Sequence, residues 1–204
     1  MPRLIDHDER RERFAEATWQ VILRDGVGGV SVRTVAAEAG HSTGSLRHVF
    51  ATQSQLLVFA LQLVVDRVGQ RMDALRSIPT PVERVEAVAA QLLPLDHERR
   101  AEMEVYLALF TAANAEPDLR APRDAAHSSM RDGCRWMIAQ LDNGHDLAPD
   151  SDRELEAARL HAVIDGLAAH VVYESADTEP EWAHRVLVRH IQSLSARGGS
   201  KDCA

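Results

Sequence analysis

Apolar residues return at three- and four-residue intervals along almost every segment of this 204-residue chain. That spacing lines one face of a helix, whereas a half-buried strand needs two-residue alternation. The fold class that follows is all-α, with apolar helix faces packed together as the core. Several helix starts are signed by short polar motifs. Thr52 with Gln55, Thr80 with Glu83, Ser151 with Glu154 and Thr178 with Glu181 each match the S/T-x-x-E/Q box, and Pro81 fits the first helical position after Thr80. Nine helices are predicted, at about 8–24, 32–39, 43–50, 53–76, 81–93, 97–115, 118–141, 152–174 and 180–196. In the seventh, Pro122 is tolerable only in a first turn, so the regular helix is expected to begin near it.

Composition narrows the function classes. Hydrophobic residues make up 45% and charged residues 26%, values of a globular chain rather than a disordered one. No apolar run reaches the roughly 18 to 20 residues of a membrane span, and the charged N-terminus is unlike a secretory signal. A cytoplasmic protein without membrane association is expected. The two cysteines, Cys134 and Cys203, have no C-x-x-C spacing. His161 with Asp165 and His170 with Glu174 lie four apart on one helix, but neither pair has a third ligand, so no metal is expected. No P-loop, dinucleotide fingerprint or nucleophile with an orienting base can be assembled, so neither catalysis nor a cofactor is expected.

The net charge of −8 argues at first against a nucleic-acid partner. Its distribution answers this, because residues 1–50 hold seven arginines against seven acids and the acidic excess lies entirely in the remainder. The neutral head carries the most informative pattern. A short helix capped by Ser31, with the small residues Ala36, Ala37 and Ala39 on or beside its packing face, meets a turn at Gly40. A second short helix follows, presenting Ser42, Thr43, Gly44, Ser45, Arg47 and His48. Two short helices crossing closely at a glycine turn form the arrangement that places the second helix in a major groove.

Residues 14–57 as a whole resemble the tetracycline-repressor-like (TetR) family of regulators. The likeness rests on the first helix from Phe14, the run Ser31-Val32-Arg33-Thr34-Val35-Ala36-Ala37-Glu38-Ala39-Gly40, then Gly44-Ser45-Leu46-Arg47-His48-Val49-Phe50, and Leu56. Ile164-Asp165-Gly166-Leu167 with His170 is similar to the C-terminal domain of the betaine-type subgroup. The resemblance implies a nine-helix architecture with a three-helix helix-turn-helix domain at 1–51 and a ligand-binding and dimerisation domain at 52–197. Residues 198–204 are expected to form a disordered tail. It implies a homodimer on a palindromic double-stranded DNA operator, released by a small-molecule effector of unknown identity. Ser31, Arg33, Thr34 and Gln53 are assigned to phosphate. Thr43, Ser45 and Arg47 are assigned to bases, with Ser42 beside them and His48 on either. Arg47 stands where the family usually has an aromatic residue, and Gln53 where it usually has lysine.

Two further expectations concern the C-terminal part. Leu160, Ile164, Leu167 and Val171 on helix 8, with Leu187, Ile191 and Leu194 on helix 9, form apolar stripes that pairing with a second copy would bury. Tyr106, Phe110, His127, Met130, Cys134 and Met137 would suit a mostly apolar small molecule. The acidic total and Gln53 leave a second reading open, a helical enzyme or binding protein of the same fold that does not read DNA.

Overall fold

A computed structural model describes residues 3–144, 146–148, 151–175 and 177–194, with backbone alone for 3–8. Among them lie nine α-helices: α1 (Arg3–Asp25), α2 (Val32–Glu38), α3 (Thr43–Arg47), α4 (Gln53–Leu75), α5 (Pro81–Ala90), α6 (His97–Ala112), α7 (Pro117–Asn143), α8 (Arg153–Tyr173) and α9 (Glu181–Leu194). A short 3-10 turn, Val27–Gly29, joins α1 to α2. No described helix is long and apolar enough to cross a membrane. The expected tail at 198–204, with Cys203, lies outside the described residues.

The chain divides into two compact units, and the division differs from the boundary expected at residue 51. The first unit takes the described residues up to Arg67 with Glu104–Ala125, and the second takes Val68–Met103 with the described residues from Ala126 onward. The reason is visible in the first core. Phe14, Val21, Val35, Ala36, Leu46 and Phe50 of the head bury together with Leu56, Leu57, Ala60 and Leu61 of α4 and with Val105, Leu109 and Leu119. Each large aliphatic or aromatic side chain among these gains about 1.5 to 3 kcal/mol by leaving water, so α1, α2 and α3 alone would give up much of their stability. Polar contacts lock α4 onto α1. The Trp19 indole N–H donates to the Ala60 carbonyl at 3.0 Å, and Arg67 pairs with Glu16 while lying over the Trp19 ring.

The second core gathers α5, α7, α8 and α9 around Val85, Val88, Leu93, Met137, Ile138, Leu141, Leu160, Ile164, Leu187 and Ile191. Arg84 fastens the turn before α5, donating to the carbonyls of Ile78 and Pro79 and to the Gln140 side chain. Arg100 donates to the carbonyls of Val171, Val172 and Glu174, which the end of α8 leaves without helical partners.

Several helix signals act differently from their sequence reading. Thr52 accepts from the Gln55 N–H, but the Gln55 side chain reaches the Ala51 N–H rather than that of Thr52. Thr80 occupies the N-cap of α5 without a side-chain cap bond. At α8 the cap is Asp152 instead of Ser151, its carboxylate accepting from the N–H groups of Glu154 and Leu155. Thr178 lies too far ahead of α9 to cap it, since the helix begins at Glu181. Pro117 takes the first position of α7, which then runs across Pro122 with one intrahelical bond missing. The helix at 43–50 ends at Arg47, because Phe50 turns inward to the core before α4 begins.

Candidate nucleic-acid interface

The helix pair at residues 31–47 is held by three local devices. Ser31 and Thr34 close a reciprocal cap, the Thr34 N–H donating to the Ser31 hydroxyl at 3.1 Å and the Ser31 N–H to the Thr34 hydroxyl at 2.8 Å. At the other end of α2, Gly40 adopts φ 67°, a left-handed conformation that costs glycine little. The His41 N–H then reaches back to the Ala36 carbonyl at 2.9 Å and the Gly40 N–H to that of Ala37 at 3.1 Å, a Schellman closure. Ser42 caps α3, accepting from the Ser45 N–H at 3.1 Å. Leu46, fully buried, seats α3 on the core, and the His41 ring meets Phe14 edge-on at 5.3 Å.

These devices sort the nine DNA-assigned residues. Arg33, Thr43, Arg47, His48 and Gln53 are exposed, as is Ser42, whose hydroxyl is engaged as a cap. Ser31, Thr34 and Ser45 are half-buried. The Thr34 hydroxyl has the Gly29 carbonyl as acceptor at 2.9 Å, so a phosphate would have to compete for its proton. Its structural work is to set the N-terminus of α2.

Ion pairing explains how a head of zero formal charge offers positive groups. Glu9 pairs with Arg13, Glu16 with Arg67, and both Asp25 and Glu38 with Arg24. The Glu38 and Asp25 carboxylates push the Arg24 pKa up, fixing that charge in place. Arg11 lies over the Phe50 and Phe59 rings, at 5.3 and 4.6 Å from their centroids. Among the described residues Arg33 and Arg47 have no ion pair, and α2 and α3 present these two guanidiniums to solvent. A forked guanidinium suits phosphate or a guanine edge.

The expected dimer residues lie in the core of the single chain. Leu160, Ile164, Leu167, Val171, Leu187, Ile191 and Leu194 range from 0% to 8% exposed within the single chain. They pack among α5, α7, α8 and α9 of their own protomer. The opposite face of α8 is the outward one. Leu155, Ala158, Ala162, Gly166, Ala169 and Tyr173 follow one another at three- and four-residue steps, with Leu155 56% and Tyr173 79% exposed, and Val186 of α9 is exposed as well. Between the large Leu155 and Tyr173 the stripe is built of alanine and glycine.

The expected pocket set divides too. Cys134 and Met137 are fully buried in the second core, and burial pushes the Cys134 thiol up to about 12. Tyr106 and Phe110 are half-buried in the first unit with ring centroids 5.0 Å apart, and Met130 is half-buried in the second. His127 is exposed against His161. Among the described residues no three His, Cys, Asp or Glu side chains converge to hold a metal ion, and Glu174 instead accepts from the Trp182 indole.

Known proteins place this architecture. Residues 81–196 match the family model of the BetI-type transcriptional repressor C-terminal domain. The chain is similar to the HTH-type transcriptional regulator PksA of Bacillus subtilis, with 40% identity over 95% of this chain and 94% of that protein. Among solved structures, a transcriptional regulator from Rhodococcus superposes with TM-score 0.77 at 33% identity, covering 90% of this chain and 95% of the other. A regulator from Saccharomonospora viridis, solved in complex with choline, superposes with TM-score 0.80 at 26% identity, covering 91% and 96%. A capped helix-turn-helix with two unpaired arginines, joined to a C-terminal domain of this type, is the architecture of a DNA-binding regulator rather than an enzyme, and the chain belongs to the TetR family of transcriptional regulators.

Proposed function

We propose that the chain is a homodimeric repressor that reads a palindromic operator through α3 and releases it when a small molecule binds the C-terminal part. The observation that carries this reading is the pair of exposed arginines without ion pairs, Arg33 and Arg47, on helices whose ends are closed by Ser31, Gly40 and Ser42. Arg47 reads a base edge together with Thr43 and Ser45. Arg33 and the Ser31 hydroxyl meet phosphate, His48 meets base or phosphate, and Gln53 offers a neutral amide where a lysine would add charge. Such a protein acts where the chromosome is, in the cytoplasm.

The second copy docks along the outward stripe of α8, from Leu155 through Ala162 to Tyr173, with Val186 of α9 beside it. Small residues at these steps let two helices approach closely across a two-fold axis. A choline-bound neighbour of the same fold supports control by a small molecule. Half-buried Tyr106 and Phe110 are the aromatic contacts assigned to it. α4 continues from the first unit into the second, so it carries the coupling. Release follows only if the effector binds the non-reading conformation more tightly.

A gel shift on the intergenic DNA upstream of the protein's own gene tests the reading. A discrete complex that survives excess unrelated DNA is expected. Binding displaced equally by any duplex would contradict sequence-specific reading.

A further inference from the structure

A third arginine of the reading head has no part in the contacts assigned to Arg33 and Arg47. Arg11, half-buried on α1, lies over the Phe59 ring at 4.6 Å and over the Phe50 ring at 5.3 Å, and the two rings are 5.3 Å apart with planes inclined at 45°. Phe50 is buried and its N–H donates to the Leu46 carbonyl at 2.8 Å, which ties this aromatic seat to α3. The chain then leaves the core at the α3–α4 corner, where Ala51, Thr52 and Gln53 are exposed. Among the described residues no acid pairs with Arg11, whereas Glu9 is taken by Arg13 and Glu16 by Arg67. Glu12 is its exposed neighbour in the chain, but successive side chains on a helix point about 100° apart. An aromatic ring meets the charge of a guanidinium and leaves its hydrogen-bonding capacity open, because all five N–H donors lie in the guanidinium plane.

We propose that Arg11 is a further phosphate contact of the reading head, holding the DNA strand that passes the α3–α4 corner. This rests on operator reading by α3. The seat belongs to Phe50, which stands three residues after Arg47 and three before Gln53, so the guanidinium is anchored between a base-reading and a phosphate-facing position. Gln53 brings a neutral amide to that corner, and Arg11 supplies the positive charge. The two rings fix the guanidinium before DNA arrives, so little side-chain freedom is lost on contact. A phosphate contact carries no base information and holds the register in which α3 reads. It also releases counterions condensed on the duplex, so its removal makes affinity depend less steeply on salt, an effect that loss of a packing clamp does not produce.

The test titrates the full chain on the upstream intergenic duplex over a series of potassium chloride concentrations, beside an unrelated duplex of the same length. Arg11→Met keeps an apolar stem on the rings and removes the charge. The expected result is a Kd about tenfold weaker on both duplexes near about 0.1 M salt, with a slope of log affinity against log salt shallower by about 1 per head, or about 2 per dimer. Gln53→Lys added to Arg11→Met should return most of the slope and the affinity by restoring a charge at the same corner. Arg11→Gln is the second variant if methionine disturbs the helical circular dichroism. A wild-type salt slope in either folded variant overturns this inference alone, as does loss of the helical signal in both, which would make Arg11 a clamp on Phe50 and Phe59 and nothing more. A wild-type chain that forms no discrete complex with the intergenic duplex overturns reading by α3 and this inference with it.

Discussion

Replacing Arg71 by methionine tests how α4 is held in the second unit. The Arg71 guanidinium forks onto Glu102 of α6 with contacts of 3.1 and 2.6 Å, and the Glu102 side chain is only 3% exposed while that of Arg71 is 29% exposed. Methionine keeps most of the apolar stem but leaves a buried carboxylate without its counter-charge, a change that costs roughly 3 to 5 kcal/mol at buried pairs. Two features reduce that figure. Solvent already reaches part of Arg71, and its buried Nε lacks a hydrogen-bond partner, so removing it relieves an unmet donor worth about 1 kcal/mol. The expected loss is about 3 kcal/mol. At a urea slope of about 2 kcal/mol/M this moves the midpoint down by about 1.5 M. The double variant Arg71→Met with Glu102→Leu should recover most of the stability. A single variant within about 0.5 kcal/mol of wild type, or a double variant as unstable as the single one, would refute the reasoning.

Three further outcomes follow from the geometry. Gly40→Ala should lose about 1 kcal/mol in thermal denaturation, since φ 67° strains a residue with Cβ although nothing lies within 4 Å of the added atom. Leu155→Glu should leave the circular dichroism intact and shift light scattering after size exclusion from dimer to monomer, whereas Leu167→Glu, on the buried face of α8, should unfold the second unit. Cys134→Trp should lower the melting temperature by several degrees by overpacking a fully buried position, and a stable variant with unaltered helical signal would show that room exists beside it.

Much of the fold was legible because it is written locally. Ser31, Gly40 and Thr52 mark their helix boundaries with chemistry that acts within four residues, and the structure uses all three. Ser151 was misleading because Asp152 beside it is an equally good cap, and local chemistry does not rank the two. Facing is harder to read. Both sides of α8 carry helically spaced nonpolar residues, and the large ones, Leu160 and Ile164, drew attention although burying them is the protomer's own need. The outward side had to be the smaller one, since alanine and glycine lose little when exposed. Cys134 illustrates the same limit, because spacing alone does not distinguish a pocket wall from a packed seam. The compact units divide elsewhere than at residue 51 for a related reason. Leu56 closes the stretch that resembles the family's reading head, and tertiary packing adds Leu57 and Leu61 to the same core.

Hydroxyl-radical footprinting of the wild-type chain and of Arg47→Ala on the upstream intergenic DNA tests the central claim most directly. The account predicts two protected patches on one face of the duplex, related by a palindrome and centred about 34 to 36 Å apart, one major groove for each copy of α3. Arg47→Ala should retain the footprint only at roughly tenfold to hundredfold higher protein, corresponding to about 1 to 3 kcal/mol, and should relax base preference at one position in each half-site. An absence of protection at any concentration, or a footprint that Arg47→Ala leaves unchanged in position, strength and sequence preference, would contradict reading by α3.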